Sequence, residues 1–170
     1  AIAATPTPTL DGFFRGLSRA ANNSKLWIAS AAVLATIGGP GGRRAAVNGL
    51  ASVAVTSAVV NLVLKPLGRR HRPDRATYHV PITRQVTMPR TTSFPSGHAA
   101  SASAFATGVA SAAPEAGIPV STAATLVAYS RVHTGVHYPI DVIAGSLTGE
   151  ALALLTVAAL ARRRRRRLDG

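Results

Sequence analysis

The chain has 170 residues, 47% of them apolar and 15% charged, with a formal net charge of +13 and no cysteine. The missing thiols exclude a disulfide scaffold, a Cys-ligated zinc site, an iron–sulfur cluster and a cysteine nucleophile, and the apolar content excludes a disordered polyelectrolyte. The surplus of 19 Lys/Arg over 6 Asp/Glu calls for an anionic partner, which is a nucleic acid, a phospholipid surface or a phosphorylated substrate.

In residues 10–21, Phe13, Phe14 and Leu17 are mixed with Arg15 and Arg19. That amphipathic pattern suits a segment lying on a bilayer surface, and a packed helix of the fold is the other reading. Asn23 or Ser24 is the expected cap of the next helix, with Trp27 at the level of the membrane interface. Residues 26–38 carry no charge and end at Gly38-Gly39-Pro40-Gly41-Gly42. Residues 45–64 are 20 uncharged positions stopped by Pro66. As a helix they rise about 30 Å, the thickness of a bilayer's hydrocarbon core. Residues 98–114 and 116–130 are uncharged and punctuated by Pro114 and Pro119, and residues 140–161, after Pro139, carry only Asp141 and Glu150.

These runs predict an all-α integral membrane bundle with about five transmembrane helices. An N-terminal interfacial segment (1–24) precedes the membrane domain (25–161), and a basic tail (162–170) follows it. The 33 alanines suit helices in close contact. A soluble alanine-rich bundle is the alternative, but residues 45–64 offer only Asn48, Ser52, Thr56, Ser57 and Asn61 in place of a polar stripe, and these read as interhelical hydrogen bonders. Glu150, in mid-helix, is expected to pair with another helix or at an oligomer contact, since a carboxylate in a crossing is costly. Asp11, Asp74, Glu115 and Asp169 read as surface, and His71 and His79 as solvated loop residues.

The remaining polar residues concentrate in three places. Lys65 is followed by six residues and then Arg72-Pro73; Pro95-Ser96-Gly97-His98 opens the third helix; Ser130-Arg131 is followed by five residues, His137, three more and Asp141. Up–down threading brings all three to one end of the bundle. Phosphoryl transfer is mostly positioning and charge stabilisation, which Lys65, Arg72 and Arg131 can supply. Ser96 and Gly97 precede a helix start, where backbone N–H groups favour an anion. His137 suits nucleophilic attack on phosphorus, with Asp141 accepting from its other ring nitrogen, and His98 suits protonation of the departing oxygen. The scheme needs no metal and no other cofactor.

This three-part pattern, in order and with unbroken spacing from Lys65 to Asp141, resembles the signature of the type 2 phosphatidic acid phosphatase family. That family includes membrane lipid phosphatases, nonspecific acid phosphatases and vanadium-dependent haloperoxidases. The resemblance implies a helical bundle, a phosphohistidine on His137, a His98 acid, and phosphate binding by Lys65, Arg72, Ser96, Gly97, His98 and Arg131. Residues 17–27 also resemble those of actinobacterial members fused to a diacylglycerol-kinase-like domain. The implied function is hydrolysis of a phosphomonoester or diphosphate on a lipid: a polyprenyl diphosphate, a polyprenyl-phosphoryl phosphosugar such as decaprenylphosphoryl-phosphoribose, phosphatidic acid or phosphatidylglycerol phosphate. Many membrane members cross six times, so either the amphipathic start replaces a crossing or a second copy completes the wall as a homo-oligomer.

Several rival readings exist. His133, His137 and Asp141 are spaced i, i+4, i+8, a metal-binding face if one helix continued through them; Gly135 and Pro139 interrupt it. Vanadate-dependent haloperoxidase or nonspecific acid phosphatase activity would use the same pocket. Nucleic-acid or plain lipid binding is the non-enzymatic alternative for so basic a chain, but no aromatic platform accompanies the arginines, so no nucleic-acid partner is expected. The block at 162–167, directly after an apolar helix, instead marks the cytoplasmic side, which sets the site on the extracytoplasmic face. In the connection 75–94, Arg84 and Arg90 are candidates for a second phosphate or a sugar.

Overall fold

A computed structural model describes Thr5 and residues 7–169; residues 1–4 and 6 of the N-terminal segment, and residue 170 of the tail, lie outside it. Six helices follow one another: α1 (Pro8–Ala20), α2 (Lys25–Ile37), α3 (Gly39–Gly68), α4 (Gly97–Ala110), α5 (Pro114–His133) and α6 (Pro139–Arg166). Among the described residues there is no strand. The uncharged runs of the sequence are the helices, with informative differences at their ends.

Gly38 alone separates α2 from α3, because the glycine-rich run becomes the first turn of α3, with Pro40 where its missing N–H costs nothing. Pro66 does not stop α3. The turn Val60–Leu64 widens to π geometry and the helix runs on to Gly68, where Arg69 turns left-handed at φ 32°. A wider turn makes room for a proline ring that would otherwise press on the carbonyl four residues back. Pro119 is likewise absorbed inside α5, whose first residue is Pro114.

α4 lies at the centre and packs on α3, α5 and α6. The core is built from small side chains: Ala45, Ala46, Ala102 and Ala106 surround Trp27, Phe105, Val109 and Val127. Trp27 is 1% exposed with its ring 5.3 Å from Phe105, so it is a core residue and not an interface anchor. A methyl group on Gly145 would sit 2.5 Å from Ser96 O, and one on Gly149 would strike Ala100 O, so α6 can press its backbone against the start of α4 only without side chains there. The large apolar residues lie outside: Ile37, Leu62, Leu67, Ile118, Leu147 and Leu155 are each more than 60% exposed. Two helices, Gly39–Gly68 and Pro139–Arg166, are long and apolar enough to cross a membrane. An inside of alanine and an outside of leucine and isoleucine is the distribution that a hydrocarbon solvent selects.

Of the five polar residues on α3, two bond across helices: Asn48 Nδ2 donates to Ser111 Oγ (2.9 Å), and the Ser57 and Ser101 hydroxyls are 3.3 Å apart. Ser52 and Asn61 instead donate to carbonyls one turn back in their own helix, and Thr56 Oγ1 is buried with no hydrogen-bond partner among the described residues. Asn48 Oδ1 accepts from Arg164 at 2.8 Å, which ties the end of α6 to the start of α3.

α1 packs on α5 and on the 3-10 turn Ile82–Arg84, with Asp11, Phe14 and Ser18 turned inward. Asp11 is therefore not a surface residue. Its carboxylate accepts from Arg84 Nε (2.7 Å), Thr83 Oγ1 (3.0 Å) and His133 Nε2 (3.1 Å). Burial alone would raise the Asp11 pKa, but Thr83, Arg84 and His133 outweigh it and hold the carboxyl below its usual range. Arg84 is fully buried in this pairing and also reaches Thr5 O and Thr7 Oγ1. It therefore pins α1 rather than receiving a second phosphate. Removing one partner of a buried ion pair strands the other charge, so Asp11→Asn is expected to cost about 3–5 kcal/mol of stability. Thermal unfolding in detergent measures this; a change under about 0.5 kcal/mol, the range of ordinary surface substitutions, would contradict the pairing.

Candidate active site

Each of the three polar clusters sits where a helix ends, and all three ends meet at one pole of the bundle. Lys65 lies in the last turn of α3, and Arg70 and Arg72 follow it in the loop. Ser96, Gly97 and His98 form the start of α4, after a cis Phe94–Pro95 bond. α5 stops at His133 because Gly135 takes φ +66°, where a Cβ would also meet Val80 at 2.9 Å. The chain then folds back so that Val136 N and His137 N both donate to Arg131 O, at 3.1 and 3.3 Å. This fixes the spacing between Arg131 and His137.

His137 is 3% exposed. Its Nε2 lies 3.2 Å from Arg72 Nη1. A guanidinium can only donate, so Nε2 presents its lone pair and the ring proton is assigned to Nδ1. Nδ1 is 3.8 Å from Asp141 Oδ2, longer than a hydrogen bond. The Ser93 hydroxyl bridges the gap: it donates to Asp141 Oδ2 at 2.6 Å and lies 3.4 Å from His137 Nδ1. The expected direct contact between His137 and Asp141 is thus a relay through Ser93. Asp141, in the first turn of α6, also accepts from Tyr138 N (3.0 Å) and Arg70 Nη1 (3.1 Å). Burial pushes the His137 pKa down to about 4, against the opposing pull of Asp141 and helped by the charges of Arg72 and Arg131. The ring is therefore neutral at pH 7.

The cations surround this imidazole. Arg72 is braced by Thr91 O (2.8 Å), Val136 O (2.8 Å) and Thr92 O (3.2 Å). Lys65 Nζ donates to Thr91 Oγ1 (3.2 Å) and lies over Gly97, where a methyl group would come within 3.4 Å of it. Arg131 is 2% exposed and its Nη1 donates to Ser18 Oγ of α1. The charges of Arg131, Lys65 and Arg72 act on His98, whose Nε2 is 2.9 Å from Asn22 Oδ1. Ser96 Oγ accepts from Ala99 N (3.4 Å), and the Ser96 N–H donates to Asp141 O (2.9 Å). It therefore caps α4, and its backbone donor is not free for an anion.

Four residues of this pole escape sequence reasoning: Ser93, Asn22, Arg70 and Arg75. Arg75 lies within electrostatic range of Arg72 and Arg131. Its Nε and Nη2, like Arg131 Nε, are buried with no hydrogen-bond partner among the described residues. Arg90 lines a cavity of about 280 Å³ with Arg69, Arg70 and Arg72. His133 turns away to Asp11, and helix breaks separate it from His137 and Asp141, so these three do not form one metal-binding face; among the described residues no cluster of three metal-ligating side chains occurs. His71 and His79 are exposed, as expected of a solvated loop. Glu150 lines a cavity between α4, α5 and α6 with Ser103, Thr107 and Ser146.

The sequence profile of the PAP2 superfamily matches residues 45–165. The chain belongs to this superfamily. Decaprenylphosphoryl-5-phosphoribose phosphatase of Mycolicibacterium smegmatis is 40% identical over 136 residues, 77% of this chain and 68% of that protein. The crystal structure of LpxE from Aquifex aeolicus superposes with a TM-score of 0.73 at 22% identity, covering 92% of this chain and 90% of that one. The transmembrane PAP2-type phosphatidylglycerolphosphate phosphatase of Bacillus subtilis superposes with a TM-score of 0.68 at 24% identity, covering 95% and 81%. At these identities the two structures speak for a shared PAP2 fold. The three-part motif read from the sequence thus lies inside the PAP2 region, residues 45–165, of a chain whose fold superposes on both crystal structures.

Proposed function

We propose that this PAP2 protein hydrolyses the phosphomonoester or diphosphate of a membrane lipid through a phosphohistidine on His137. The observation that carries this reading is a buried imidazole whose Nε2 lone pair is directed at Arg72 Nη1, with guanidinium N–H groups of Arg131 and of Arg75, next to Arg72, that have no hydrogen-bond partner among the described residues. Such charges are costly without an anion between them. Lys65, Arg72, Arg131 and the N-terminus of α4 at Gly97 receive the phosphoryl oxygens. Nε2 of His137 attacks phosphorus while the bond to the leaving oxygen breaks; His98, favoured in its protonated form by the arriving anion, gives that oxygen a proton. His98 then takes a proton from water, whose oxygen attacks the phosphohistidine and releases inorganic phosphate. Asp141, through Ser93, stabilises the positive charge that develops on the His137 ring.

The relatives' names favour a polyprenyl-phosphoryl phosphosugar, a lipid A 1-phosphate or a polyprenyl diphosphate as substrate. Phosphate release from a panel of these lipids by detergent-purified protein tests the reading. Hydrolysis of at least one, undiminished by a metal chelator, is expected; no release from any of them contradicts it. The state of the nucleophile has its own test. In NMR of ring-labelled histidine, the signal absent from His137→Gln should titrate near pH 4, and a midpoint near the ordinary imidazole value of about 6.5 would contradict the buried, neutral base.

For the membrane arrangement we infer five crossings, α2 to α6, supported by the apolar exterior, with α1 packed across the site end and exposing Phe13 and Leu10. The arginines at 162–167 and Arg43 and Arg44 share the pole opposite the site, as the Arg164–Asn48 bond indicates. That supports a cytoplasmic tail and an extracytoplasmic site. The chain has no cysteine, so a single Asp169→Cys label reports the side directly: reaction in intact cells would reverse this orientation.

A further inference from the structure

A cavity of about 260 Å³ opens next to the phosphoryl site, bounded on one wall by Lys65, Gly97 and His98. His137, Arg72 and Arg131 do not line it. It therefore opens on the His98 side of the site, where the oxygen that His98 protonates would leave. Its other walls carry amides and hydroxyls: Asn23 and Ser24 from the turn before α2, Ser57 and Asn61 from α3, and Ser101 from α4. Asn61 uses Nδ2 on Ser57 O and keeps Oδ1 open, and Ser57 and Ser101 share one hydrogen bond between two hydroxyls. The Asn23 and Ser24 side chains make no hydrogen bond among the described residues. Both residues are held left-handed, at φ 55° and 58°, a conformation that serine rarely adopts. Strain of this kind next to a reacting group is a sign of a functional constraint.

We propose that this cavity is the leaving-group subsite and that it takes a hydroxyl-bearing alcohol of the sugar or glycerol type. A hydrocarbon there would leave the Asn23 and Ser24 side chains and Asn61 Oδ1 without partners, which a site tolerates poorly. A second phosphate would find one cation, Lys65, which the first phosphoryl group already uses. The proposal rests on the phosphatase reading above and narrows its substrate class.

Initial rates of the purified protein on three substrates test it: a polyprenyl-phosphoryl phosphoribose, whose leaving group carries sugar hydroxyls; phosphatidic acid, whose leaving diacylglycerol carries none; and a polyprenyl diphosphate, whose leaving group is a second phosphate. The wild-type protein is expected to favour the phosphoribosyl lipid by about 10-fold or more in kcat/KM. Asn61→Leu and Ser101→Ala should each erase about 10-fold of that preference, the effect of one lost hydrogen bond. A wild-type preference for either of the other two substrates overturns the proposal. So does an equal fractional loss on all three substrates in both variants, which would mark a structural role. No turnover of any substrate by the wild-type protein defeats the phosphatase reading itself, and the proposal with it.

Discussion

His137→Ala is expected to abolish turnover, with a loss on the order of 10⁴-fold or more, as is usual when a nucleophile is removed. The side chain occupies a folded-back segment whose backbone is held by two hydrogen bonds to Arg131 O, and neither involves the ring. The fold should therefore survive. Substrate binding should survive as well, since Lys65, Arg72 and Arg131 keep their own braces on Thr91, Val136 and Ser18. A variant that binds lipid phosphate yet leaves it intact is the expected phenotype, measured by single-turnover phosphate release beside an equilibrium binding assay. Wild-type release would remove His137 as the attacking group.

His98→Ala is expected to show the second largest effect, and its size should depend on the substrate. An acid that protonates a departing oxygen contributes about 10²–10⁴-fold when that oxygen is strongly basic, as in a sugar or glycerol alcohol. It contributes little when the oxygen leaves readily as a stable anion, as in p-nitrophenyl phosphate. The ring sits at the second position of α4, fixed by Asn22 Oδ1 and bordering a cavity that His137 does not line. The ratio of losses in kcat/KM, which reports formation of the phosphohistidine and not its hydrolysis, isolates protonation from packing on the two substrate types, since a merely structural role would lower both equally. Equal losses would contradict the acid assignment.

The helices were legible in the sequence because charge is absent over long stretches and breakers are local. The site was legible because its groups recur at short, fixed distances near helix ends. Lys65 and Arg72 flank the end of α3, and Arg131, His137 and Asp141 flank one helix break, so local spacing sufficed. The misreadings share a different cause. Asp11 looks like surface because its partner Arg84 is 73 positions away; Ser93 and Asp141 are 48 apart, and Asn22 and His98 are 76 apart. No periodicity links such pairs; the packing of α1 and the turn after it creates the Asp11 and Asn22 contacts, and the connection before α4 brings Ser93 to the start of α6. Trp27 misled in the same way, since its position before an apolar run suits an interface anchor as well as a core residue. Asn23 or Ser24 is the expected cap because both residues favour caps, and Ser24 does stand at the N-cap position of α2, but left-handed and without a side-chain bond. Arg75 carries no pattern at all; only its buried, unpartnered nitrogens mark it.

The central claim is a covalent bond between phosphorus and Nε2 of His137. Phosphohistidine survives base and is lost in acid, so the protein should be mixed with lipid phosphate, quenched in alkali within the first turnover, digested and mapped by mass spectrometry. The account predicts a phosphoryl group on the peptide containing His137, and its absence from His137→Gln. A phosphoryl group on any other residue, or phosphate release with one ¹⁸O from labelled water and inversion at phosphorus, would contradict it.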